Sequence, residues 1–277
     1  MNNMFVETVH APSLHDNSRQ KTKNSNMKMR YLKSIVTVAF LSLAVLLVFD
    51  SCSTSKKTTT RKGDASITAN APDYKRIKKE INTEGSEFYY PELLRRFQAA
   101  DTTLSLEQIR HFYYGTATRS DYAPYKMAKI DALREALEKD TPSKEDWEKA
   151  AQVIDEQLKT DPTNIRFHFY KHIVYDNLYG PVSEKTVDAH NQVVMLLSAV
   201  TSTGDGSSKE TAFHVISVAD EYGIMDIFGL SPKMQSLVED KGQSYDVMDL
   251  EKNKYGLKSM YFNITVSMQA MNKLFDF

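Results

Sequence analysis

Hydrophobic positions fall into three regimes along the chain. An apolar run, Ile35 to Phe49, stands near the front, helical spacing begins near Asp73, and β-branched and aromatic residues take over after Thr203. In the middle regime Tyr74, Ile77 and Ile81 recur at helical spacing with charges between them, which predicts an amphipathic helix. Pro91 opens the next, because a proline in the first helical turn forfeits no hydrogen bond. Ser105 with Gln108 matches a capping box for Leu106–Tyr114, and Gly115 marks its stop. A helix carrying Ile130, Leu133 and Leu137 follows. Ser143 then caps Lys144–Lys159, which Asp161-Pro162 ends. Asn164–Leu178 and Ser183–Val200 complete about six or seven helices.

Beyond the turn cluster Gly204-Asp205-Gly206-Ser207-Ser208, four runs read as strands: Ala212–Val218, Tyr222–Phe228, Ser244–Leu250 and Leu257–Val266. Short links between consecutive strands predict an antiparallel meander, and so small a sheet needs one face packed on the helices. Helices first and strands after is an α+β chain. Within the helical part, Trp147, Ala150, Ile154 and Pro162 resemble the second helix of a tetratricopeptide repeat and the turn after it. No second copy follows at the repeat period, so the expectation is an α-hairpin packed in that manner.

The apolar run at the front is too short for a comfortable membrane span, which takes about 20 residues. Behind Lys28, Arg30 and Lys33 it fits the hydrophobic region of a signal peptide. It stops at Asp50-Ser51-Cys52, which resembles a bacterial lipobox, with Asp50 and Phe49 as departures of the kind found in Bacteroidota-type lipoproteins. The competing reading is a buried core helix with an incidental cysteine. The expected organisation is a disordered upstream extension at 1–26, a signal peptide at 27–51 and a tether at 52–72. A helical part at 73–203 and an antiparallel β part at 204–277 follow. Acylated Cys52 makes the membrane the first expected partner, with the protein lipid-anchored in the cell envelope. The tether, rich in Ser, Thr and Lys, has little to bury.

Composition narrows the field. With 277 residues, 41% hydrophobic, 26% charged and a net charge of −1, the chain is neither disordered throughout nor a nucleic-acid binder by bulk charge. Its one cysteine excludes a disulfide scaffold and a four-thiolate zinc site. Cleavage before Cys52 leaves the mature chain nearer −4.

Candidate chemistry is sparse. His168 and His172 lie four apart on a helix, but Phe169 stands where a metalloprotease motif needs glutamate. Gly204-Asp205-Gly206 lacks the further acidic positions of a calcium loop and the Lys-Ser/Thr of a phosphate loop, so a turn closed by Asp205 is the plainer reading. His214 on the first strand, with Asp220 and Glu221 closing the first hairpin, forms a His–carboxylate constellation that suits acid–base work or a polar contact at the sheet rim. Asp205, His214, Asp220 and Glu221 are therefore the candidate site. No catalytic residue, metal or cofactor is expected.

Several segments together carry a wider resemblance: Tyr90-Pro91-Glu92-Leu93-Leu94-Arg95-Arg96-Phe97, Arg110-His111-Phe112-Tyr113-Tyr114-Gly115, Gly204-Asp205-Gly206-Ser207, Asp220-Glu221-Tyr222 and Tyr261-Phe262-Asn263. They resemble a domain-of-unknown-function family numbered 4919, found mainly in secreted Bacteroidota proteins. The resemblance implies one family unit over about 73–277 and an envelope location, and supplies no activity. Two functions stay open. One is an interaction or scaffold lipoprotein with an envelope protein or peptide partner. The other is an envelope hydrolase or small-ligand-binding protein with its site at the helix–sheet junction.

Overall fold

Side-chain caps start most of the helices. Asp73, Ser105, Ser143, Asn164, Ser183 and Ser217 each accept a backbone N–H from the turn that follows, satisfying donors that a helix start leaves open. The structure is a computed structural model and describes residues 71–125 and 130–275. The expected extension, the signal peptide, Cys52 and the tether before Ala71 lie outside the described residues.

The helical part comprises α1 (Tyr74–Ile81), α2 (Tyr90–Gln98), α3 (Leu106–Thr116), α4 (Asp131–Glu138), α5 (Lys144–Thr160), α6 (Ile165–Tyr179) and α7 (Glu184–Thr201). Helices α4 to α7 pack each on the next, and α3 lies against α1, α2 and α7. Ala150 and Ile154 are buried on α5, as the hairpin reading expects of the face turned to α6. Helix α3 is buried on nearly every side, from Ile109 through Gly115. Gly115 lies inside its last turn rather than ending it. A Cβ there would stand 3.1 Å from the Ile81 side chain, so the glycine lets α1 and α3 approach.

The C-terminal part is α+β in a different order from the one the pattern suggests. It runs β1 (Phe213–His214), α8 (Val218–Phe228), β2 (Pro232–Asp240), β3 (Gln243–Leu250), β4 (Ser259–Asn263) and α9 (Thr265–Phe275). Strands β3 and β4 pair antiparallel as expected, β2 adds an unexpected antiparallel strand at one edge, and β1 pairs parallel to β4 at the other, giving the order β1-β4-β3-β2. Parallel neighbours need a long crossover, which α8 and the β2–β3 hairpin supply.

Three expectations are corrected. Tyr222–Phe228 is helix, not strand: Asp220, Glu221, Gly223, Ile224, Met225 and Ile227 are all buried, so no polar stripe reveals the helical period. Asp220 and Glu221 therefore sit in the first turn of α8 and close no hairpin. Leu257–Val266 divides at Ile264, where β4 gives way to α9. β2 had no expected counterpart, because seven of its nine residues are exposed, the other two are half-buried and none is fully buried. Its turn to β3 places Lys241 and Gly242 both at positive φ (50° and 75°), the backbone of a tight two-residue hairpin.

Candidate functional site

Asp220 is placed by the cap of α8. The Ser217 hydroxyl accepts the Asp220 N–H at 3.2 Å, which turns the carboxyl inward. There its Oδ1 accepts the N–H of Ile165, the first residue of α6, at 2.9 Å. Its Oδ2 accepts the Tyr113 hydroxyl at 2.8 Å. The same phenol oxygen accepts the Ile216 N–H at 3.3 Å. Burial pushes the Asp220 carboxyl up to about 7 against the opposing pull of the Ile165 N–H. Asp220 also borders a small cleft of about 240 Å³ between Tyr90, Arg119, Tyr122 and Asp161.

Glu221 is the next residue and faces a different environment. It is wholly buried, and neither carboxyl oxygen has a hydrogen-bond partner of regular geometry. The acid beside it is Asp246, which alternates inward on β3 with Ser244, Met248 and Leu250. Gln235 of β2 donates to Asp246 at 2.7 Å and accepts the Tyr222 hydroxyl at 3.1 Å. Burial, and then the Asp246 charge, push Glu221 up to about 10. Asp246 is itself raised by burial. Two acids in one dry site keep at least one proton between them.

His214 stands elsewhere. Its backbone N–H donates to Thr203 Oγ1 at 3.0 Å, and its carbonyl accepts the Tyr114 hydroxyl at 3.1 Å. The ring makes no hydrogen bond among the described residues. Burial, with Arg110 adding to it, pushes the imidazole down to about 4, so it is neutral at neutral pH. Its ring borders a wide cleft of about 1130 Å³ between α1, the segment after α3, and α9. Lys75, Lys78, Arg119 and Lys273 line this cleft with Asn82, Gln243 and Gln269, and no aspartate or glutamate does so among the described residues. Arg119 pairs with Asp121 at 2.9 Å. The three lysines make no ion pair among the described residues.

Asp205 lies on an exposed turn. Its Oδ1 accepts the Ser207 N–H at 2.9 Å and the Thr211 hydroxyl at 2.6 Å, and the Thr211 hydroxyl holds its carboxyl below the usual range. The glycine-flanked turn is thus closed on itself.

The four candidates therefore occupy four environments: an exposed turn, the rim of the wide cleft, a buried helix junction and a carboxyl pair under the sheet. His168 and His172 are spent in packing. His168 is held by the Pro162 carbonyl at 3.0 Å and meets the Phe97 ring edge to face, and burial lowers both histidines. Among the described residues no three His, Cys, Asp or Glu side chains converge on a metal position.

A family model for a domain of unknown function, DUF4919, matches residues 75–273. The chain belongs to the DUF4919 family. No curated protein and no solved structure matches the chain. The DUF4919 span encloses α3, the Asp220 junction, the carboxyl pair and the cleft lysines. Asp246 and the cleft lysines escaped the sequence reading. Asp246 was within reach, since strict alternation on a run ending Met248-Asp249-Leu250 sets it inward. The lysines were not, because α1 and α9 come to border one cleft only in the fold.

Proposed function

We propose that the protein is a lipid-anchored cell-envelope interaction protein, held by acylated Cys52, whose DUF4919 unit binds an anionic partner in the wide cleft. The observation that carries this reading is the cleft itself: three lysines, an arginine and several amides face a volume that, among the described residues, no carboxylate borders, and the lysines make no ion pair there. Unneutralised cations converging on one concavity favour an anionic ligand. A neutral imidazole and the amides of Asn82, Gln243 and Gln269 add hydrogen-bonding capacity without negative charge.

The anchor fits the same reading. Ala71 and Pro72 stand on the cleft rim, and nineteen residues separate Cys52 from that point. A link of that length spans at most about 65 Å when fully extended. The cleft mouth is then held near the envelope surface. Binding is favoured over hydrolysis because His214 meets no carboxylate among the described residues and Asp220 and Glu221 are buried in the core.

The test is a crosslinking pull-down of the full-length protein from envelope membranes. A reproducible partner recovered by the wild type and lost with Lys75→Glu plus Lys78→Glu supports the cleft. No partner, or one indifferent to the charge reversal, overturns it. Fatty-acid labelling that is abolished by Cys52→Ala tests the anchor separately.

A further inference from the structure

Among the described residues the sheet ends in a strand whose outer edge is unpaired. β2 is the outer strand of the order β1-β4-β3-β2, and among the described residues no chain pairs with its far edge. Met234 and Leu237 are 57% and 55% exposed. An open, partly apolar edge strand is a template for another strand.

Backbone geometry limits how that edge pairs. Asp240 and Gln243 close the hairpin, so the even-numbered residues of β2 direct their N–H and C=O groups to β3. The odd-numbered residues Gln235, Leu237 and Glu239 direct theirs outward, alternating from Asp240 down to the irregularity at Pro232/Met234. A two-fold antiparallel pairing must bring odd residues opposite odd residues. Of the registers that do so, one is centred on Ser236. It sets Gln235 opposite Leu237 and Met234 opposite Val238, and it brings Lys233, at the irregularity that begins the strand, beside Glu239 at both ends. A register centred one residue later would oppose Lys233 to Lys241, and one centred a residue earlier would leave Glu239 without a cation. Opposite charges across a strand pair stabilise and like charges destabilise.

We infer that β2 pairs with β2 of a second copy of this chain, antiparallel about Ser236, continuing the sheet through a two-fold axis. Each copy offers the same strand, so the contact is self-complementary and closed. Lys233 is free for the role, since it makes no ion pair among the described residues. Glu239 is held in place by the Ser244 hydroxyl at 2.6 Å. The proposal does not depend on the occupant of the cleft.

Sedimentation of the full-length chain in detergent tests it, using charge reversal and its restoration. Lys233→Glu alone and Glu239→Lys alone each set like charges opposite at both ends, and each weakens the dimer by about tenfold or more. The double variant Lys233→Glu with Glu239→Lys restores it. A chain that stays monomeric at its highest soluble concentration overturns the proposal, as does a dimer indifferent to both single reversals. Register is read in a Cys52→Ala background. Ser236→Cys lies on the axis and forms an intermolecular disulfide under mild oxidation, whereas Met234→Cys faces Val238 and does not. Crosslinking at Met234 in place of Ser236 rules out this register.

Discussion

The Tyr113 hydroxyl donates to the Asp220 carboxyl across 2.8 Å and 107 residues of sequence, fastening α3 to the first turn of α8. Through its other oxygen Asp220 receives the first N–H of α6, so one carboxyl joins three helices. Tyr113→Phe keeps the ring but leaves Asp220 Oδ2 and the Ile216 N–H without their partner. Unpaired buried polar groups cost about 1–3 kcal/mol. Urea unfolding should show the midpoint falling while the slope is unchanged. A midpoint equal to the wild type's would mean that this contact is not made.

Asp220 should also set part of the pH profile. Its folded value, about 7, lies above its unfolded value of 3.8, so the folded chain binds its proton more tightly. The stabilisation is full below the unfolded value and is lost as pH rises through about 7. Asp220→Asn stays neutral, still accepts one hydrogen bond and should flatten stability between about pH 4 and pH 7. A profile as steep as the wild type's would place the titration elsewhere.

Two glycines should respond differently to alanine. At Gly223 the new Cβ would lie 2.8 Å from the Arg166 backbone nitrogen, whereas at Gly115 it would meet side-chain atoms of Ile81 at 3.1 Å. Backbone cannot move aside as a side-chain tip can, so Gly223→Ala should cost about 1–3 kcal/mol and Gly115→Ala less. Thermal unfolding of the two variants decides the order. Equal losses would show that the α6–α8 contact yields as readily as the α1–α3 contact.

The same helix, α8, shows where the sequence was hard to read. The caps of the helical part were written in Ser105 and Ser143, and these boundaries came out within a residue or two. Ser217 with Asp220 is a signal of the same kind, but it stands between the β-formers Val215-Ile216 and Ile224 to Phe228, and buried Asp220 and Glu221 beside half-buried Val218 and Tyr222 blur the 3.6-residue period. β2 failed for the opposite reason: exposed on both faces, it has no alternation to detect. The candidate residues were legible as residue types. Their separation was not, since it depends on α8 turning Asp220 toward α6 and Glu221 toward β3.

The Glu221–Asp246 pair gives the sharpest pH test. Glu221 rises from 4.5 to about 10 on folding, so it folds protonated and must lose its charge to do so at neutral pH. Its contribution is fully present below its unfolded value and declines as pH rises toward its folded one. Glu221→Gln removes that proton requirement, keeps the shape, and supplies an amide N–H that can donate to Asp246. The variant should be more stable than the wild type by on the order of 2 kcal/mol near pH 8, with a smaller gain near pH 5. Chemical unfolding at the two pH values measures both. Equal stability of variant and wild type at pH 8 would show that Glu221 ionises in the fold, and that the space beneath β3 admits water or a cation.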